Sequence, residues 1–180
     1  MLNKILVAVD KSVASQRAFE TALELAKALG SELILVHALD VFDPASPERP
    51  TTLVGSYSME LDDILRKNYE HQWAEFVKHY DALLKQKQAD AKSVGVEASY
   101  LLPYGSPGSA ICKTARTSDV DVIVVGSREY SSGLSQLFLG SVSNYILHHA
   151  PCSFMVIHPD GGDSHISLGE QSKLSATTMS

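Results

Sequence analysis

Val120-Asp121-Val122-Ile123-Val124-Val125 is a short apolar run; Gly126-Ser127-Arg128-Glu129 follows it, and further on comes Leu139-Gly140-Ser141-Val142-Ser143. The run reads as a buried strand, Gly126 as a tight turn, and Gly140 as the opening of a helix. Backbone N–H groups at such a turn and helix start point into open space. That arrangement suits an anionic ligand such as a phosphate.

Working outward, the same alternation recurs. Ile5-Leu6-Val7-Ala8-Val9 reads as a strand with Asp10 directly after it. Such runs, apolar on both faces, belong to parallel sheets. Ala18, Phe19, Ala22, Leu23, Ala26 and Leu29 then recur three and four apart, with Ser12 or Ser15 able to cap the start and Gly30 suited to a left-handed stop. Leu33 to Leu39 is a second strand. Val96 to Leu102 is a third, entered through Gly95. Ser106-Pro107 starts a helix that runs to about Ser118. Val120 to Val125 is the fourth strand, Ser135 or Gly140 to His149 the fourth helix, and Ser153 to Ile157 the fifth strand.

Two segments depart from the pattern. Between Asp40 and Ser58, Pro44, Pro47, Pro50 and Gly55 sit among polar residues. This is a flexible insertion longer than a usual connection, either a functional lid or a tolerated surface loop. Beyond it, Leu61, Ile64, Leu65, Tyr69, Trp73, Phe76, Val77, Tyr80, Leu83 and Leu84 keep helical spacing to about Ser93. An unbroken helix there would be roughly 50 Å long, so a break or an overhang is expected. Trp73, Phe76 and Tyr80 read as core at this spacing. Residues 160–180 are rich in glycine, serine and threonine, with few large apolar side chains, and read as a disordered tail.

The order strand–helix repeats until the fifth strand. It predicts one α/β domain over residues 1–159: a five-stranded parallel sheet between two helical layers, a three-layer Rossmann-like α/β/α sandwich. Ligands on such sheets bind beyond the carboxyl ends of the strands, where strand order reverses. Asp10, Ala38, Gly126 and the Gly140 turn all follow strands on that edge.

Composition narrows the function classes. The chain has 180 residues, 44% of them hydrophobic, and a formal charge of −6, which fits one globular domain. No basic block is present, which argues against a nucleic-acid partner. No apolar run reaches the roughly 20 residues that span a bilayer, and Met1-Leu2-Asn3-Lys4 does not begin a signal peptide. Cys112 and Cys152 have no paired spacing, which fits a reducing cytoplasm.

Read from the residues alone, Gly126 permits close backbone approach, Gly140-Ser141 sets free N–H groups at a helix start, and Ser141 and Ser143 offer hydroxyls to phosphate. Asp10 can accept from a ribose hydroxyl, help hold a nucleotide-bound magnesium, or simply cap the first helix. The glycines are also explained by turn chemistry. His148, His149 and Cys152 do not converge as metal ligands, and no metal site of the protein's own is expected. His37 reads as a core histidine. No serine–histidine–aspartate arrangement is legible, and Asp10 lacks the neighbouring acid of a receiver domain.

These residues together resemble the universal stress protein family. The resemblance covers nearly all of Met1 to Pro159. It is carried by Ile5-Leu6-Val7-Ala8-Val9-Asp10, by Asp119-Val120-Asp121-Val122-Ile123-Val124-Val125-Gly126-Ser127, and by Leu139-Gly140-Ser141-Val142-Ser143 followed by His148-His149-Ala150-Pro151-Cys152. It implies an adenine-nucleotide-binding fold, usually a cytoplasmic homodimer linked to stress. By that carry-over Asp10 is the ribose contact, and Ala8 and Ala38 line the adenine. Val125, Gly126, Ser141, Val142 and Ser143 match positions around the ribose and phosphates, and Gly140 matches the motif's last glycine; Ser127 and Arg128, which follow Gly126, complete the candidate site.

One departure stands out. The family's ATP-binding motif places a second glycine three positions after the first, where this chain has Glu129, and the stretch to Gly140 is one residue longer. Arg128 can pair with a phosphate in compensation, or be a solvated loop arginine. The ligand expected is therefore ATP or another adenine nucleotide (ADP, AMP or cyclic AMP), with magnesium alongside ATP. The expected role is a stress sensor or regulatory module rather than an enzyme. The alternatives are a dimeric interaction module of the same fold that binds no nucleotide, and a slow ATP hydrolase. The homodimer is expected through the edge strand at residues 153–157.

Overall fold

The computed structural model describes residues 2–50, 59–127 and 140–158. Strand β1 (Lys4–Ala8) leads into helix α1 (Val13–Leu29), then β2 (Glu32–Val36), α2 (Met59–Ser93), β3 (Ala98–Leu101), α3 (Pro107–Thr117), β4 (Val122–Gly126), α4 (Ser141–His149) and β5 (Ser153–Ile157). The five strands form one sheet in the order β3-β2-β1-β4-β5. Every pairing is parallel, with Ile5 opposite Leu33 on one side and opposite Val122 on the other. The expected α/β fold is the observed one.

Strand alternation feeds two cores. Ile5, Val7, Leu33, Leu35, Val122 and Val124 face Ala18, Phe19, Ala22 and Leu84 of α1 and α2. Leu6, Ile34, Val36, Ile123 and Val125 face Ile111, Cys112 and Ala115 of α3 and Ile146 of α4. Because side chains alternate with period two, both faces of each central strand must be apolar. That requirement is why these runs show no polar alternation.

The helix boundaries follow local chemistry. Ser12 caps α1, its hydroxyl accepting from the Ser15 N–H at 3.1 Å. Gly30 ends it at φ +68°, in the left-handed region that glycine enters without Cβ strain. Strand limits moved slightly: β1 is Lys4–Ala8 rather than 5–9, although the Val9 N–H still reaches the Val36 carbonyl at 2.8 Å. β2 stops at Val36; beyond it the His37 and Leu39 N–H groups reach the Leu101 and Pro103 carbonyls at 3.2 and 2.8 Å, and Leu39 and Tyr104 form a bridge.

Helix α2 does not break. It runs 35 residues from Met59 to Ser93, about 50 Å at the α-helical rise. The stretch contains no glycine or proline to interrupt it. Its second half packs on the sheet through Phe76, Tyr80, Leu84 and Ala91. Its first half overhangs, with Ile64 62% exposed. There Arg66 bridges Asp63 and Glu70, and Lys67 meets Asp63, all one turn apart. Such pairs favour the helix where no core contact does. Phe76 and Tyr80 are core, as the spacing suggested, and Trp73 is half-buried against them.

Candidate functional site

Strand order reverses between β1 and β4, since successive strands run outward from β1 to β3 and then from β4 to β5. A cleft opens there at the carboxyl ends of the strands. Its floor is Ala8, Val9 and Asp10 from the end of β1, Val36, His37 and Ala38 from β2, and Val125 and Gly126 from β4. Its sides are Ser12 and Ser15 of α1, Pro107 and Ile111 of α3, Asp43, and Gly140 to Ser143 at the start of α4.

Three helices, α1, α3 and α4, thus bring their N-terminal ends to one cleft. Each contributes the positive end of its dipole and N–H groups that lack an intrahelical partner. At α4 the capping position is Gly140, which has no side chain to satisfy those donors. An added Cβ there would meet nothing within 4 Å. The helix start is consequently open to an anion, and Ser141 and Ser143 place hydroxyls beside it.

Asp10 has a structural task as well as a place in the cleft. Its Oδ1 accepts from the Ser12 N–H at 2.8 Å, and the Ser15 hydroxyl accepts from the Asp10 N–H at 2.8 Å. Asp10 therefore fixes the turn before α1, whose cap is Ser12 rather than Asp10, and lines the cleft as well. Gly126 is set by packing. A Cβ there would lie 2.5 Å from the Ala14 carbonyl carbon, so α1 could not approach β4.

His37 is both buried and at the cleft. Nδ1 lies 2.7 Å from the Val9 carbonyl, which can only accept, so this nitrogen carries the proton. The ring stacks on Tyr80 of α2 at 3.5 Å between centroids. Nε2 is buried and has no hydrogen-bond partner among the described residues. Burial holds the imidazole below its ordinary pKa of 6.5, against the upward pull of the Val9 bond and of Asp43 and Asp10.

Of the residues read from the sequence, Ala8, Asp10, Ala38, Val125, Gly126, Gly140, Ser141, Val142 and Ser143 line the one cleft. Ser127 does not line it: it is buried, and its N–H continues the β4–β5 ladder to the Ile157 carbonyl at 2.7 Å. Arg128, Glu129, residues 51–58 of the insertion and the tail lie outside the described residues. The sequence reading passed over Ser12, Ser15, His37, Asp43, Pro107 and Ile111. Pro107 was legible in principle, because the Ser106-Pro107 helix start follows a strand on the same edge. Asp43 was not, since nothing in a proline-rich loop marks which carboxylate turns inward.

The universal stress protein family model matches residues 1–158. The chain belongs to the universal stress protein family. A curated relative, the universal stress protein Sll1388 of Synechocystis, is 30% identical over 154 residues, covering 86% of this chain and 96% of its own. Among solved structures, a universal stress protein family protein from Arabidopsis thaliana with AMP bound has a TM-score of 0.57 at 22% identity, covering 92% of this chain and 97% of that one. A universal stress protein in complex with cAMP also has a TM-score of 0.57, at 23% identity, covering 88% and 98%. These likenesses concern the fold. Among the described residues no helix is long and apolar enough to cross a membrane.

Proposed function

We propose that this universal stress protein binds an adenine nucleotide in the cleft between β1 and β4 and acts as a stress-linked sensor or regulatory module. The observation that carries the reading is Gly140. It opens α4 with unspent N–H donors, and the space its side chain would fill is empty and faces the same cleft as Asp10. In this reading Gly140, Ser141, Val142 and Ser143 receive the phosphate. Asp10 accepts from a ribose hydroxyl, while Ala8 and Ala38 leave room for the base. Val125 and Gly126 form the floor beneath the ribose.

Support also comes from the family, whose solved members include one with AMP bound and one in complex with cAMP. ATP with magnesium is the larger ligand the same cleft would take, with Asp10 near the metal. Residues 1–159 form the binding domain in this reading, in the cytoplasm, with residues 160–180 as a tail. The protein pairs as a homodimer through β5. Calorimetric titration with ATP, ADP, AMP and cyclic AMP tests the reading, and no heat of binding at millimolar nucleotide refutes it. A second reading, an interaction module that uses its long helix, draws on Ile64 at 62% exposed and Leu61 at 46%. It predicts partner binding with no response to nucleotide.

A further inference from the structure

The cleft crosses three strand ends in the order β4, β1, β2, and its two ends differ chemically. At the β4 end Gly140, Ser141 and Ser143 offer N–H and hydroxyl donors. At the β2 end Val36, Ala38 and Ile111 make an apolar wall, and the charged group among them is Asp43. A carboxylate only accepts. If phosphate takes the donor end and ribose meets Asp10 over β1, the base must lie over β2, beside Asp43.

The Asp43 carboxylate is held in place. Its Oδ1 accepts from the Ala45 N–H at 2.7 Å, and its carbonyl accepts from the Ser46 N–H at 2.8 Å. One contact to Oδ1 leaves most of the carboxylate's lone pairs unspent. Asp43 lines the cleft together with His37 and Ala38.

We propose that Asp43 determines base specificity: its carboxylate accepts a hydrogen bond from an exocyclic amine of the base, favouring an amino-bearing purine over one with a carbonyl there. The inference rests on the nucleotide reading above and deepens it. With an amine, the contact is a charge-assisted hydrogen bond. With a carbonyl, two acceptors face each other and the carboxylate is left unpaired. A hydrogen bond to a charged group is worth about tenfold in affinity at the low end of its range, which is the end a half-exposed carboxylate occupies.

The test is calorimetry with AMP and IMP, which differ at the purine 6-position, on the wild type, Asp43→Ala and Asp43→Asn. The wild type should bind AMP about tenfold more tightly than IMP. Asp43→Ala should weaken AMP and bring the ratio close to one. Asp43→Asn, whose amide can present either a donor or an acceptor, should also relax the ratio while keeping the loop turn. Circular dichroism and melting temperature check that both variants fold. If AMP binds but both variants keep the wild-type ratio, or if IMP binds the wild type as well as AMP does, Asp43 does not read the base and the nucleotide reading stands. If neither nucleotide binds the wild type, the nucleotide reading falls and this inference falls with it.

Discussion

Gly126 and Ala14 meet backbone to backbone. A Cβ on Gly126 would sit 2.5 Å from the Ala14 carbonyl carbon and 2.6 Å from its oxygen, closer than real Cβ contacts come. The glycine that ends β4 is therefore demanded by the approach of α1. Its place in the cleft is a second consequence of the same geometry.

Gly126→Ala should accordingly destabilise the fold whether or not ligand is present. The obstacle is backbone, so it cannot rotate away, and overpacking of this kind costs about 1–3 kcal/mol. Urea unfolding would show the loss as a lower midpoint at unchanged slope. An unchanged midpoint would mean that α1 shifts freely on the sheet.

Gly140 should behave in the opposite way. Its φ of −60° suits any residue, and a Cβ would meet nothing within 4 Å. Gly140→Ala should leave stability within about 1 kcal/mol, since alanine is a poorer cap but restricts the unfolded chain. Gly140→Val should leave the fold and abolish nucleotide binding, as the side chain enters the space assigned to phosphate. Retained affinity in the valine variant would place the ligand elsewhere.

The contrast shows what the sequence could and could not reveal. Five short β-branched runs separated by helical periods determine a parallel sheet, and the caps at Ser12 and Gly30 sit where the local code puts them. Nine of the eleven candidate site residues line the cleft, because strand ends are legible and topology brings them together. Three things were not legible. Whether a glycine serves a ligand or a neighbouring helix depends on how elements pack. Ser127 turns its N–H to Ile157 because β5 continues beside it. The unbroken α2 reflects ion pairs at Asp63, Arg66 and Glu70 that offset the absence of a core beneath them.

That overhang should be the least protected part of α2. Residues 61–72 rest on local pairs and solvent-exposed hydrogen bonds, whereas Phe76, Tyr80, Leu84 and Ala91 are anchored in the cores. Local opening is easiest where buried contacts are few. Hydrogen exchange followed by mass spectrometry should show the first half of α2 exchanging at least tenfold faster than the second. Equal protection would mean that something covers the overhang in solution.

Strand β5 pairs only with β4 among the described strands, so one row of its N–H and C=O groups lies along a sheet edge, and Met155 is 38% exposed. An edge of this kind accepts another strand, and a second copy would satisfy it. Light scattering at tens of micromolar should give a dimer for the wild type, and Met155→Asp should shift it towards monomer by bringing two like charges to the contact. A wild-type monomer, or a variant that remains fully dimeric, would remove β5 as the interface.

His37 gives the fold a pH dependence whose sign can be worked out. Burial holds its folded pKa below the ordinary 6.5. Between those two values the unfolded chain binds more protons than the folded one, so stability rises with pH. The neutral ring's contribution is fully present above about pH 6.5 and is lost as pH falls towards the folded pKa, with a slope of up to about 1.4 kcal/mol per pH unit. The physical reason is the ring's setting: protonation puts a proton and its charge on Nε2, which is buried with no partner among the described residues, in a ring stacked on Tyr80. His37→Gln keeps a donor for the Val9 carbonyl and removes the titration. Denaturation midpoints of the two proteins between pH 5 and 8 should converge towards the acid end and keep a constant separation above about pH 6.5, and parallel profiles over the whole range would show that His37 titrates alike in both states.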